Sequence, residues 1–273
     1  MISLNSNIAS LFGANSYNSV TASIDKVSKQ LATGKRIISA ADDPAGVGIL
    51  STLKSQDSSY DAVQKNLTAG KALLGVATTS LKTQQELLTQ MSDIATQASS
   101  ELLTGDQRDA LKSQFGELQH QLDIAVTRAT IFGKNLTSDT GADVVIQSGI
   151  ENGDSFTLKA VKSDATTLGV DSSSVDLNDA NNSKLAMTAL KTAIGTVASS
   201  QSLIGTQETG LEKLAGIARD TQLNIKSSIS NIEDVDVAAL SSQLTQLQAK
   251  QSIQLQMLNI TNSMPSQLLS LLR

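Results

Sequence analysis

Leucine residues recur at a spacing of seven in the second quarter of the chain, and this spacing predicts a long coiled-coil helix. The repeat consists of Leu67, Leu74, Leu81 and Leu88, followed two heptads later by Leu102. Most of the intervening steps carry small or apolar residues, namely Val63, Gly70, Ala77, Met91 and Ala98. Because such a stripe must be buried against helices of similar length, we expect matching stripes elsewhere.

Two further stripes meet this expectation. The shorter one consists of Leu111, Phe115, Leu118, Leu122, Ala125, Ala129 and Phe132. The longer one consists of Leu190, Ile194, Val197, Gln201, Ile204, Glu208, Leu211, Ala215, Ala218, Gln222, Ile225, Ile229 and Ile232. The three stripes predict a mainly α chain, an elongated antiparallel coiled-coil or helical-bundle rod with a small β-hairpin region. Glu208 is the exception, since a carboxylate there either sets the register or indicates a shifted stripe.

The two ends of the chain carry stripes of their own. The first contains Tyr17, Val20, Ile24, Val27 and Leu31, and the last contains Leu240, Leu244 and Leu247. Further on, Ile253, Met257, Ile260 and Met264 lie apart from Leu255 and Leu258, so the last helix is apolar on more than one side. Such a helix needs neighbours beyond its own chain. The alternative is a helix buried within a monomer, but no other part of this chain supplies a core that could enclose it.

Turn and capping residues divide the chain between these stripes. Asp42 and Asp43 before Pro44 predict a helix start, and the segment at residues 34–36 separates it from the first stripe. The segment at residues 104–106 predicts the turn of an αα-hairpin. The resulting segments are an amino-terminal inner segment (1–41), two rod helices (42–135), a hairpin with a surface loop (136–183), a returning helix (184–232) and a carboxy-terminal inner segment (233–273).

Short β-branched runs replace the seven-residue steps between residues 133 and 183. The run 144–146 and the alternating residues Phe156, Leu158 and Ala160 predict two strands, joined through the turn signal Asn152-Gly153. The loop at residues 171–183 is rich in Asp and Asn, but it lacks the central Gly and terminal Glu of a calcium-binding EF-hand. We therefore interpret it as a solvated polar loop without a metal.

Composition excludes several classes of function. Aromatic residues make up 2% of the chain, which suits long aliphatic stripes better than a globular enzyme core. A net charge of -5 argues against a nucleic-acid or anionic-membrane partner, and no apolar run has transmembrane length. The chain has no Cys and a single histidine, His120, which has no nucleophile or metal partner at useful spacing. No phosphate-binding or zinc motif occurs, so we expect neither catalysis nor a cofactor.

Several motifs resemble those of bacterial flagellin. The stretch 2–7 and the run 31–46, which reads LATGKRIISAADDPAG, are similar to the flagellin amino-terminal signature, in which we single out Gly34, Arg36, Asp42 and Asp43. The runs 232–236 and 270–273 are similar to carboxy-terminal flagellin motifs. The runs 132–136 and 167–170 resemble the inner β region of the family. Since no insertion follows the hairpin, the chain resembles a minimal flagellin without variable outer domains.

The resemblance implies a subunit that polymerises with itself into a helical flagellar filament. It implies export through the flagellar type III apparatus, and thus an extracellular location that composition alone would not indicate. The implied partners are the export apparatus, an export chaperone, the filament cap and hook-junction proteins. The implied inner polymerisation residues are Ile8, Leu11, Ile24, Val27, Leu31, Leu240, Leu244, Leu247, Ile253, Met257, Leu258 and Ile260. The residues expected in the helical packing seam are Leu67, Leu74, Leu81, Leu88, Leu111, Phe115, Leu118, Leu122, Ile194, Ile204, Leu211, Ile225 and Ile229.

Two other functions remain as alternatives at this point. A hook-filament junction protein shares the terminal helices, and a cell-surface protein could use the same scaffold to bind a polysaccharide or host ligand. Sugar sites usually need stacked aromatics, which are scarce here. Many flagellins are also read by a vertebrate innate receptor through an arginine-containing stretch, but the matching segment 88–97 has no arginine and Gly210 stands where another arginine is usual. We therefore expect weak receptor recognition.

Overall fold

The computed structural model describes the backbone of residues 7–271 and the side chains of residues 7–264. Its elements are the helices α1 (Ile8–Thr33), α2 (Pro44–Ala98) and α3 (Gly105–Thr127), the strands β1 (Val144–Gln147) and β2 (Ser155–Leu158), and the helices α4 (Ala180–Glu233) and α5 (Val237–Leu271). The predicted mainly α fold with a small antiparallel hairpin is confirmed. The motif residues at 2–6 and 272–273 lie outside the described residues.

The chain divides into two compact units. One comprises the residues up to Ser55 together with those from Asn224 onward, and the other comprises residues 56–223. The helices α2 and α4 each contribute residues to both units.

Capping side chains define the starts of α2 and α3. The Asp43 carboxylate accepts a hydrogen bond from the Gly46 amide at 2.9 Å, with Pro44 as the first residue of α2. Thr104 and Gln107 form a reciprocal capping box at the start of α3, with bonds of 3.4 and 3.1 Å. The predicted start of α2 is therefore confirmed, whereas α3 already begins within the segment 104–106 that the sequence assigned to the turn.

The core of the unit 56–223 is a continuous apolar cluster formed by α2, α3, α4 and the hairpin. Hydrogen bonds from Gln222 to Asp61 and from Gln201 to the Leu81 carbonyl show that α2 and α4 run antiparallel. The leucine repeat of α2 is buried, with Leu67 at 1% exposure and the three that follow at 0%. Burying each leucine stabilises the folded state by about 1.5–3 kcal/mol.

Two steps of the predicted stripes are wrong, and at Glu208 the alternative of a shifted stripe is the one observed. Leu102 is 94% exposed because α2 ends at Ala98, and the capping box of α3 forces the chain to turn between the two helices. Phe132 is 72% exposed because α3 has already ended at Thr127. On α4, Gln207 is buried while Glu208 is only half-buried, so the stripe shifts by one residue. For Leu102 and Phe132 the heptad count continued past the end of a helix.

The hairpin follows the predicted strands with a longer connection. Strands β1 and β2 pair antiparallel, with Val144 opposite Leu158, and the segment 148–154 joins them. Asn152-Gly153 forms a turn inside this connection, where Gly153 has a φ of 101°. Ile146 packs on α2 at Gly70, where an added Cβ would overlap the Ile146 Cδ1 atom and lie 3.2 Å from Leu211. Ala160 lies beyond the end of β2, so its predicted place in the strand is wrong.

The predicted polar loop at residues 171–183 is shorter and better packed than expected. Val175 and Leu177 within it are buried at 5% and 0% exposure. Helix α4 begins at Ala180, and the Asp179 carboxylate accepts a hydrogen bond from the Asn182 amide at 2.7 Å. Residues 172–174 and 178–179 are exposed, while the two apolar side chains between them pack into the core.

Candidate functional site

Helices α1 and α5 form an antiparallel pair. Asn7 donates a hydrogen bond to the Thr261 carbonyl at 2.9 Å, and Gln251 donates to the Thr21 hydroxyl at 3.2 Å. Val27 is the buried residue of α1. The other predicted inner residues that face the pair are half-buried, namely Ile24, Leu31, Leu240, Leu244, Leu247 and Leu258.

The opposite side of this pair is an exposed apolar face. On α5, Ile253, Met257 and Ile260 are 56%, 59% and 60% exposed, and on α1, Ile8 and Leu11 are 73% and 64% exposed. The sequence from residue 251 to residue 264 contains no Asp, Glu, Lys or Arg. An exposed apolar face of this kind marks an interaction site, and its lack of charge means that covering it desolvates no ion. We call it the terminal apolar face.

A second feature joins the segments that precede α2 and follow α4. The Arg36 amide donates to the Glu233 carbonyl at 2.6 Å, and the Val235 amide donates to the Gly34 carbonyl at 3.2 Å. The Arg36 guanidinium also donates to the Ile232 carbonyl at 2.8 Å. Gly34 ends α1 with a φ of 68°, a left-handed conformation that favours glycine. We call this region, residues 34–43 with 232–236, the junction.

Charged side chains hold the junction together. The Glu233 side chain, which is 10% exposed, contacts the Lys35 ammonium at 2.6 Å and the Lys54 ammonium at 2.8 Å. The hydrogen bond from Lys35, followed by that from Lys54, lowers the pKa of Glu233, and Glu233 in turn raises the pKa of Lys35. Asp42 accepts hydrogen bonds from Lys26 and from the backbone of the segment 38–39, which lowers its pKa to about 2.

The structure thus brings the four signature residues into one neighbourhood. Gly34, Arg36 and Asp42 lie in the junction, and Asp43 caps the helix that leaves it. Each makes a contact that fixes the backbone, which the sequence motif alone could not reveal. Glu233 was not among the predicted site residues. It joins the two segments of the junction through both its backbone and its side chain.

The predicted seam residues pack between helices of the same chain. Those that are buried are Leu67, Leu74, Leu81, Leu88, Phe115, Leu122, Ile204, Leu211 and Ile225. Those that are half-buried are Leu111, Leu118, Ile194 and Ile229. Their side chains stabilise the fold, and a contribution to contacts between copies stays a prediction.

Buried glutamines make polar contacts on and beside these seams: the sequence placed Gln222 on the longer stripe, but it singled out neither Gln119 nor Gln207. Gln222 donates to the Asp61 carboxylate and accepts from Gln64, both at 2.6 Å. Gln207 accepts from the Lys159 amide at 2.6 Å, and Gln119 donates to the Val170 carbonyl at 2.8 Å. Each satisfies backbone or side-chain polar groups that would otherwise be buried without a partner, and so fixes the register of neighbouring elements. Their signal in the sequence was a polar residue on or beside an apolar stripe.

Among the described residues, no cluster of three or more His, Asp or Glu side chains could hold a metal ion. No helix within the described part of the chain is long and apolar enough to cross a membrane. His120 is exposed on α3.

Comparisons with known proteins cover almost the whole chain. The family model for the bacterial flagellin N-terminal helical region matches residues 4–142, and that for the C-terminal helical region matches residues 187–272. Flagellin FljO of Caulobacter vibrioides is 30% identical, over 99% of this chain and 98% of its own length. The flagellin of Listeria innocua is 26% identical, over 98% of this chain and 99% of its own.

Solved structures give the same result for the fold. The crystal structure of Bacillus cereus flagellin aligns with a TM-score of 0.51 at 25% identity, over 56% of this chain and 88% of its own. A putative flagellar hook-associated protein from Vibrio parahaemolyticus aligns with a TM-score of 0.59 at 17% identity, over 71% of this chain and all of its own. At that identity the second likeness shows a shared fold alone.

Proposed function

The chain belongs to the bacterial flagellin family and is a structural subunit of a flagellar filament, and from this premise we propose which surface joins neighbouring copies. The proposed surface is the terminal apolar face of α1 and α5, the helices that lie within the predicted inner segments 1–41 and 233–273. The observation that carries the proposal is the exposure of Ile253, Met257 and Ile260 on a helix whose partner covers only the opposite side. Adjacent copies would supply the missing cover, at about 1.5–3 kcal/mol for each large side chain buried.

We further propose that the terminal helices order only on assembly. Fixing the backbone of each residue costs about 1–2 kcal/mol of conformational entropy. Helix α1 contributes only Val27 as a buried residue to offset this cost within the chain. The free monomer should therefore keep the unit 56–223 folded while its ends remain largely disordered, and polymerisation should wait for a template.

A deletion and a set of substitutions test this proposal. Removing residues 233–273 should leave a soluble protein whose central helices remain folded by circular dichroism but which forms no filaments. Replacing Ile253, Met257 and Ile260 together by Gln should also block polymerisation, whereas Leu102→Gln, at a 94% exposed apolar residue outside the terminal helices, should not. If either the deletion variant or the triple Gln variant still polymerised, the proposal would be contradicted. It would also be contradicted if α1 and α5 in the monomer were as resistant to protease as α2.

The setting of this function follows from the family and is part of the proposal. The relatives are flagellins, so we infer that the chain leaves the cell through the flagellar export apparatus with a chaperone and resides in the extracellular filament. We infer contacts with the filament cap and hook-junction proteins at the filament ends. The role is structural and not enzymatic, and it requires no cofactor. Immunogold labelling of intact cells with an antibody to this chain tests the location.

Neither alternative from the sequence is favoured. The similarity to a hook-associated protein is limited to the fold, whereas the sequences of the flagellin relatives match over nearly their full length. We retain the proposal of weak innate-receptor recognition. Gln90 and Asp93 lie in an open groove between α2 and α3 that contains no arginine. A receptor reporter cell line exposed to purified monomer should give a weak response, and a potent response would contradict it.

A further inference from the structure

The segment Ile131 to Lys134 forms a tight turn. The Ile131 amide donates to the Lys134 carbonyl at 3.0 Å, and the Lys134 amide donates back to the Ile131 carbonyl at 2.9 Å. The two central residues, Phe132 and Gly133, have φ angles of 53° and 69°. Two consecutive left-handed residues define a type I′ turn, for which Asn followed by Gly is the preferred pair.

The residues on the carboxyl side of this turn stabilise the fold. Asn135 donates to the Val126 carbonyl at 2.7 Å, and its side-chain oxygen accepts from the Thr137 amide at 2.8 Å. Leu136 is fully buried, and its carbonyl accepts from the Val161 amide at 2.7 Å. These contacts fix the end of α3 to the segment that leads into the hairpin.

Phe132 has no comparable role in the fold. Its side chain is 72% exposed, and it is the one non-glycine residue with a positive φ in the part of the chain that the structure describes. A left-handed backbone is unfavourable for a bulky side chain, because its Cβ approaches the following carbonyl oxygen. Backbone strain without an internal benefit indicates that the side chain acts outside the fold.

The aromatic ring stands between two open grooves beside α2. One groove, of about 720 Å³, contains Ala69, Ala72 and the oppositely charged Asp61 and Lys65. The other, of about 290 Å³, contains the exposed strand residue Val145. Phe132 is thus an exposed ring beside apolar side chains on one side and a mixed polar and charged groove on the other. Aromatic side chains are enriched at the centre of protein–protein contacts, and the rim of such contacts is polar.

We propose that Phe132 docks against a second copy of this chain within the filament. This inference rests on the proposed function, since a homopolymer presents the same surfaces at every subunit. Helix α4 supplies a receiving surface: Leu185, Leu203 and Ile217 are 69%, 43% and 62% exposed. Their spacings of 18 and 14 residues place all three on one side of the helix.

The size of the contact explains why it acts only in the polymer. A phenylalanine buries on the order of 150–250 Å² at most, whereas a stable pair of proteins needs about 1,200 Å² or more. Phe132 therefore cannot hold a dimer by itself, but in a lattice its contribution adds to that of the terminal apolar face. The contact should affect the critical concentration for polymerisation and leave the monomer unchanged.

Two substitutions at Phe132 test the proposal. Phe132→Asn introduces the residue that a type I′ turn prefers and removes the ring, so it should raise the critical concentration by about 10- to 100-fold, as expected from losing one buried aromatic side chain. Phe132→Tyr keeps the ring and should polymerise within about threefold of the wild type. Critical concentrations are measured by seeded assembly and sedimentation, and the monomer melting temperature by circular dichroism.

The melting temperature separates assembly from folding. The proposal predicts that Phe132→Asn melts at the same temperature as the wild type or higher, because the turn is relieved of strain. A lower melting temperature would show that the ring supports the fold, and an unchanged critical concentration would show that no copy receives it; either result overturns the inference. Failure of the wild-type chain itself to polymerise would instead overturn the proposed function.

Discussion

Neutralising Glu233 should loosen the junction without unfolding the rest of the chain. The substitution Glu233→Gln keeps the size of the side chain and removes the charge that faces Lys35 and Lys54. Both ion pairs are short, at 2.6 and 2.8 Å, and the backbone bonds of Arg36 and Val235 lie beside them. The substitution therefore changes one interaction in a region whose opening can be observed directly.

The expected loss of stability lies between two limits. Hydrogen bonds to charged groups contribute about 1.5–3 kcal/mol each, whereas exposed ion pairs contribute about 0–1 kcal/mol. The Glu233 side chain is 10% exposed, but both lysine side chains are 49% exposed, so solvent screens part of the attraction. We expect the junction to lose about 1–2 kcal/mol, which is roughly a 5- to 30-fold rise in the population of the open state.

Hydrogen exchange on assembled filaments measures this opening. The amides of Arg36 and Val235 donate across the junction, so their exchange reports its opening. Glu212→Gln is the matched control, because Glu212 is on the same helix and pairs with Lys71 at 3.5 Å, with side-chain exposures of 69% and 53%. The control should change exchange less than about twofold. Equal effects of the two substitutions would refute the special role of Glu233.

The same junction should depend on pH in both directions. The lowered pKa of Glu233 gives stability that is present above pH 4.5, its ordinary value, and is lost as the pH falls through the folded-state pKa. The raised pKa of Lys35 gives stability that is present below pH 10.5 and is lost as the pH rises through its folded-state value. After correction for intrinsic exchange rates, the junction amides should exchange most slowly between these two pH limits. In Glu233→Gln, the increase in exchange at acidic pH should be smaller.

Three further predictions concern the unit 56–223. In urea unfolding, Gly70→Ala should destabilise this unit by about 1–3 kcal/mol, because the added methyl overpacks the core. Gly75→Ala on the same helix should instead stabilise it by up to about 1 kcal/mol, because no atom lies within 4 Å of the added Cβ. Leu81→Ala should cost about 2–5 kcal/mol in the same assay, and Leu102→Ala less than about 0.5 kcal/mol; similar costs would contradict the assigned burial. A short tag inserted at the exposed Ser173 should leave filament assembly intact by electron microscopy, and lost assembly with normal export would contradict the loop assignment.

Much of the helical fold followed from the sequence because periodicity and caps are local signals. The leucine repeat identified α2, and the Asp43-Pro44 pair located its first residue. Helix ends were less predictable, since Leu102 fits the heptad count although the chain has already turned. The end of one helix depends on where the next helix is capped, and the spacing of apolar residues carries no information on that cap.

The candidate site was predictable in outline and not in its contacts. The apolar residues on several sides of α5 predicted that one partner helix would leave part of them exposed, as Ile253, Met257 and Ile260 are. The ion pairs of Glu233 with lysines 198 and 179 positions away depend on tertiary proximity. The strained Phe132 was hidden for another reason, since an apolar residue at stripe spacing looks like part of a core.

The role of the terminal apolar face in assembly is tested most directly by its environment in a filament assembled from the purified chain. A cryo-electron microscopy structure should show Ile253, Met257 and Ile260, which are 56–60% exposed in the single chain, buried against adjacent copies. Each of these side chains should fall below about a tenth exposed, as in a protein core. If these side chains remained open to solvent in the filament, the central claim that they drive assembly would be contradicted.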